Sequence, residues 1–121
     1  MIEKIHKPDL KELEIAVELL KEEYSIDTDI SARAIKVLGL LNKQNRLPDS
    51  IFCHNSKSIV LNWSNVAHNL YFTVSKTHVS ILVSMFRRVG SKIKERTTVS
   101  FEDLENEEII GSIFHVFENT V

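Results

Sequence analysis

Three successive runs of alternating apolar and polar residues constrain this chain more than anything else in it. Ile59, Leu61 and Trp63 alternate with Ser58, Val60 and Asn62. Leu70, Phe72 and Val74 alternate with Asn69, Tyr71 and Thr73, and Val79, Ile81, Val83 and Met85 with His78, Ser80, Leu82 and Ser84. A period of two belongs to extended chain, whose successive side chains point to opposite faces. The links Ser64-Asn65 and Ser75-Lys76-Thr77 are too short for a crossover, so neighbouring runs pair antiparallel, as a meander. A shorter strand is expected at Ile51-Phe52-Cys53, with Asn55-Ser56 as its turn. Gly90-Ser91 marks a later turn. After it Ile93, Glu95, Thr97, Val99 and Phe101 alternate with Lys92, Lys94, Arg96 and Thr98, where threonine and valine favour another strand. The sheet therefore has four to five strands, one strongly apolar face and one mainly polar face, and helices should cover the first face only.

The covering helices are legible on either side. Leu13, Ala16, Val17, Leu20 and Tyr24 recur at helical spacing, with Pro8 suited to a first turn and an end near Tyr24. Ser25 to Asp29 reads as a turn, in which Asp27, Thr28 and Asp29 are candidate caps for a second helix. Ile30, Ala34, Val37, Leu38 and Leu41 form that helix's stripe, and Gly39 is either a weak point or a site of close helix contact. Asn42 to Asn45 reads as the exit, and Leu47-Pro48-Asp49 forbids continuation. At the C-terminal end, Ser100 with Asp103 approximates a capping box for a third helix with Leu104, Ile110, Ile113, Phe114 and Phe117 on its apolar face. The expected fold is α+β: an N-terminal helical hairpin, an antiparallel meander and a C-terminal helix, in a single domain over 1–121. Its core should hold Leu61, Trp63, Phe72, Val74, Ile81 and Val83 beneath Val17, Leu20, Leu38 and Leu41.

Composition limits the function classes. With 121 residues, 15 basic and 17 acidic side chains, the chain has a net charge of −2, which excludes coating nucleic acid by bulk charge but not a local basic patch. Three glycines leave no glycine-rich nucleotide loop. No run approaches the ~20 apolar residues of a membrane span. Cys53 is the sole cysteine, so there is no intrachain disulfide and no cysteine metal cage. The start carries no apolar signal core, and with a lone thiol the chain reads as cytoplasmic.

The segment Ser58-Ile59-Val60-Leu61-Asn62-Trp63, followed by Leu70-Tyr71-Phe72-Thr73-Val74, resembles the meander core of small bacterial proteins carried on phages and on other mobile elements such as integron cassettes. In those, a strand ends in Leu-Glu-Trp, a polar turn follows, and a helical segment and a proline-containing loop precede, as Leu47-Pro48-Asp49 does here. Asn62 stands where an acidic residue is usual, and Asn55-Ser56-Lys57 replaces an Asp-Gly-Gly turn. The resemblance implies the fold and a mobile-element setting, but no catalytic set.

The candidate sites are few. The chain has five histidines, and His54, His68 and His78 fall at strand ends or turns, with Cys53 as a conceivable further ligand. Their spacing matches no metal motif, and neither a metal nor a cofactor is expected. Cys53 and His54 are neighbours on a strand and point apart, which argues against a nucleophile and its base. A small-ligand or enzyme pocket would have to form from Tyr71 with His68 or His78. The acidic runs Glu12–Glu23 and Glu102–Glu108 read as solvated helix faces. The strongest non-random feature is a basic segment: Arg87, Arg88, Lys92, Lys94 and Arg96 against one acid, Glu95. On a strand Lys92, Lys94 and Arg96 share a face. No aromatic residue interleaves them for base stacking; Phe86 merely precedes them. An acidic protein partner is thus favoured over nucleic acid, and the bland alternative is an edge strand guarded by charge. Two open sheet edges and a high apolar content point further to a homo-oligomer, a dimer or larger. The expected function is a non-enzymatic interaction module of accessory or immunity type, with nucleic-acid binding and ligand binding as alternatives.

Overall fold

The computed structural model describes residues 7–65, 68–86 and 92–119, with backbone alone at 68, 83–86, 92–96, 116 and 119. Two helices come first, α1 (Leu10–Tyr24) and α2 (Thr28–Lys43), then five strands and a third helix. The strands are β1 (Ser50–Phe52), β2 (Ile59–Ser64), β3 (His68–Val74), β4 (Val79–Phe86) and β5 (Lys92–Val99), and α3 spans Glu107–Asn119. All pairings are antiparallel and neighbours in sequence are neighbours in the sheet. The α+β meander expected from the alternating runs is the observed fold.

Local chemistry sets the helix ends. Asp9 accepts from the Glu12 amide at 2.8 Å while the Glu12 carboxylate accepts from the Asp9 amide, a closed capping box. Pro8 therefore precedes the cap instead of occupying the first turn. The helix stops at Ser25, which takes a left-handed conformation with φ 53°. Asp27 is the cap of α2, accepting from the Asp29 amide at 2.9 Å. The pairing of Ser100 with Asp103 also forms, with amide bonds of 3.0 and 3.1 Å. It closes a short 3-10 turn, Asp103–Glu105, and Asn106 starts α3 by accepting from the Glu108 amide. The expected cap thus belongs to the turn before the helix, so only Glu107 and Glu108 stand in the first turn of α3.

The register explains the core. Ile59, Leu61 and Trp63 stand opposite Val74, Phe72 and Leu70, which in turn stand opposite Val79, Ile81 and Val83. Directly paired residues share a face, so one side of the sheet is a continuous apolar surface. Apart from Val83, whose side chain lies outside the described residues, each of these is buried. α2 packs on β2 and β3, α3 packs on β3, and α1 lies against α2 and β1. Val17, Leu38, Leu41, Ile110 and Phe114 complete the buried cluster. Leu20 is only partly buried, and Tyr24 is 40% exposed, so the core face of α1 is narrower than its spacing suggests.

Trp63 ties the layers together. Its indole packs on Phe72 and Phe114, with ring centroids 4.7 and 5.2 Å away, and its Nε1–H donates to the Arg46 carbonyl at 3.0 Å. The Arg46 guanidinium lies 4.8 Å from the Phe114 ring and pairs with Glu118. Asn65, in the link after β2, donates to the Phe117 carbonyl near the end of α3.

Two stability outcomes follow. Leu61→Ala or Phe72→Ala should cost about 2–5 kcal/mol in denaturant unfolding, since each leaves a cavity in a filled interior; losses under ~1 kcal/mol at both would mean a register wrong by one residue. Gly39 has no atom within 4 Å of where a Cβ would stand, so it is a weak point and not a close contact. Gly39→Ala should therefore raise stability by about 1 kcal/mol, the helix-propensity difference, and a loss on the same measurement would overturn that assignment.

Candidate functional site

With every helix on the apolar side, the other face of the sheet is free of helices among the described residues. Its register positions are Ser50 and Phe52 on β1, Val60, Asn62 and Ser64 on β2, and Asn69, Tyr71 and Thr73 on β3. They continue with Ser80, Leu82, Ser84 and Phe86 on β4 and Lys92, Lys94, Arg96 and Thr98 on β5. None of these positions holds an aspartate or glutamate, although the chain has 17 acidic residues. Among the described residues the acids sit on the helices and connecting segments instead, apart from Glu95, whose register partner Val83 belongs to the helix-covered side.

The face is apolar in its middle. Phe52 and Tyr71 are half-buried, and their rings meet edge-on with centroids 6.5 Å apart. Because β2 lies between their strands, the two rings close over it. That accounts for Val60, which is 3% exposed although no helix covers it. Leu82, half-buried, stands opposite Tyr71 on the next strand, and Arg96 stands opposite Leu82. Around this centre lie amides and hydroxyls already linked to one another: Ser64 Oγ to Asn69 at 2.6 Å, and Asn62 Nδ2 to the Leu70 carbonyl at 3.3 Å.

The basic segment is placed in part. Lys92, Lys94 and Arg96 take alternate positions of β5, opposite Phe86, Ser84 and Leu82, as a period of two requires. Arg87 and Arg88 lie outside the described residues. Phe86, which precedes the cations in sequence, is the register partner of Lys92, and the other aromatics of this face come from β1 and β3. At ~4.8 Å per strand, Tyr71 is about 10 Å from β5. The sequence signal was present in Phe52 and Tyr71 themselves, but it needed the register to be read.

The alternative pocket does not assemble. Tyr71 and His68 are three residues apart on β3, and so their register positions belong to opposite faces. His78 follows the far end of that strand, about 20 Å from His68 at ~3.4 Å per residue. His78 is exposed, with Nδ1 2.9 Å from the Thr77 hydroxyl. It lines a shallow hollow of about 650 Å³ where three loops meet, with Asp27, Lys57, Ser75 and Lys76. His54 packs edge-on against Phe52, with ring centroids 5.3 Å apart. Among the described residues no three of His, Cys, Asp and Glu stand together as a metal site would need, and no helix is long and apolar enough to cross a membrane.

Cys53 is buried, and burial, with a smaller contribution from Glu23, pushes its thiol above the ordinary value of 9.0. The chain matches no known protein family, no curated protein and no solved structure.

The raised thiol fixes a sign. Above pH 9 the unfolded chain loses the Cys53 proton while the folded chain keeps it, so folded stability falls as pH rises through that range. Cys53→Ser should remove this alkaline loss, and in the native protein the thiol should react with a thiol reagent only as fast as the chain opens. Rapid labelling of folded protein at neutral pH would contradict the burial argument.

Proposed function

We propose that this protein is a non-enzymatic interaction module, of accessory or immunity type, that binds an acidic protein partner through the helix-free face of its sheet. One observation carries this reading. In a chain of net charge −2, the described positions of the helix-free face hold no carboxylate, place Lys92, Lys94 and Arg96 along β5, and set half-buried Leu82 opposite Arg96 with half-buried Tyr71 and Phe52 on the strands beyond it. Such segregation works against self-repulsion among the cations unless an anionic group meets them. β5 pairs only with β4 among the described residues, so its outer edge offers backbone N–H and C=O groups to an extended segment. Acidic side chains on that segment would lie next to the lysines and arginine. A cytoplasmic, mobile-element setting is part of the proposal and rests on the lone thiol and on the likeness of Ser58–Trp63 and Leu70–Val74 to such proteins.

A second reading has its own support. The Phe52–Tyr71 pair, on the same face as the cationic strand and separated from it by β4, is also a surface on which the bases of a single-stranded nucleic acid can stack. The overall negative charge weighs against it.

Titration separates them. The probes are an extended peptide alternating glutamate with valine or threonine, and single-stranded DNA and RNA of mixed sequence, each at about 50 and 200 mM salt. The peptide should bind, and Lys92→Glu with Lys94→Glu should abolish its binding. Nucleic-acid binding that falls by orders of magnitude across that salt range, and drops about tenfold or more with Tyr71→Ala, would replace the acidic partner with nucleic acid. Failure of both probes to bind would remove the sheet face as the site.

A further inference from the structure

We infer that the outer stripe of α1 is a two-fold interface on which a second copy of this chain docks antiparallel. The stripe belongs to the helical layer and is independent of the sheet face. Ile15 is 53% exposed and Leu19 60%, the two most exposed large aliphatics of the described chain. They are four residues apart, one above the other on the helix surface. With Ile35 of α2 they line a shallow groove of about 360 Å³, whose other walls are Lys11, Glu14, Glu18 and Glu22. The buried residues of α1, Leu13 and Val17, are not among them, so this helix is apolar on two sides.

The order of residues along the stripe selects the occupant. From the N-terminal end it runs cation, aliphatic, aliphatic, anion: Lys11, Ile15, Leu19, Glu22. The aliphatic pair is centred on position 17, and the charged pair on the same position to within half a residue. A two-fold axis there reverses the order in the second copy. Ile15 then meets the partner's Leu19, and Lys11 meets the partner's Glu22, at both ends at once. An isologous interface needs a surface that complements its own reverse, and these four positions have that property. A parallel arrangement would set Lys11 against Lys11 and Glu22 against Glu22.

Glu14 and Glu18 are left over. Each stripe therefore carries three carboxylates to one ammonium, and the two copies repel over and above their end pairs. Repulsion of this kind is screened by salt, so the dimer should tighten as salt is raised. A cationic helix in the same groove would show the opposite dependence.

Sedimentation of the full chain at micromolar concentration, at low and raised salt, tests the proposal. A reversible dimer that tightens with salt is expected. Leu19→Ser should weaken it about a hundredfold, because the two-fold removes the side chain twice. Lys11→Glu should also weaken it, adding Glu22→Lys to that variant should restore it, and adding Glu107→Lys, on α3, should not. At concentrations low enough for the parent to be monomeric, unfolding curves of these exposed-site variants should match the parent's, which separates lost docking from lost folding. A monomer at all accessible concentrations, or a dimer indifferent to Leu19→Ser, would overturn the inference. So would a monomeric parent that takes up a lysine-rich amphipathic helical peptide on these same residues, because the occupant would then be a cationic partner.

Discussion

Everything in this fold depends on the cross-strand row through Ile51, Leu61, Phe72 and Ile81. These four residues stand directly opposite one another across four strands, and the row continues to Thr97 on β5. Because side chains alternate faces, a slip of one residue at any pairing would carry that strand's apolar set to the helix-free side. The helices have no other surface on which to bury Leu38, Leu41 or Phe114. Their placement is thus a consequence of the row, and the sheet cannot change register without releasing both helical layers. The parallel row through Asn62, Tyr71, Leu82 and Arg96 is what remains for the outside.

That dependence explains which parts of the structure were legible in the sequence. The period of two over Ile59–Trp63, Leu70–Val74 and Val79–Met85 fixed strands, faces and order, because links of three and four residues leave no room for a crossover. The helix stripes were equally plain, since Leu13, Val17, Leu38 and Leu41 bury as spacing demands. Boundaries depended on competition between nearby caps. Asp9 displaced Pro8 from the first turn, and Asn106 took from Ser100 the role of starting α3. The candidate site was harder to read. Phe52 and Tyr71 belong to strands that are not neighbours, so their contact over Val60 follows only from two pairings taken together. The second stripe of α1 was visible as Ile15 and Leu19 among glutamates, but a search for one apolar face per helix passes over it.

Charge and apolarity are partitioned by layer. Among the described residues the helices and connections carry all the acids but Glu95, and the sheet's bare side carries none. The chain thus presents two chemically opposite sides, one of aliphatic groups among carboxylates on α1, the other of aromatic and hydroxyl groups beside cations. Head-to-tail stacking of identical copies, the hazard such opposites create, would consume both sides and build open filaments. The two-fold pairing proposed for α1 would close that route by occupying the acidic side of each copy, and would leave the sheet side of each copy free.

Trp63 is the sole tryptophan, and it is held where three parts of the chain meet. It stacks on Phe72 of the sheet and Phe114 of α3, and its indole N–H is bound to the loop after α2. Its fluorescence is therefore an intrinsic reporter of one event, the seating of α3 on the sheet. Buried at 5% exposure, it emits from an apolar setting, and water reaches the ring if α3 lifts away even while the meander stays paired. Far-ultraviolet dichroism, by contrast, follows backbone order throughout the chain. If the Trp63 signal changes before the dichroism during unfolding, α3 leaves first; if they coincide, the helical layer and the sheet form a single cooperative unit.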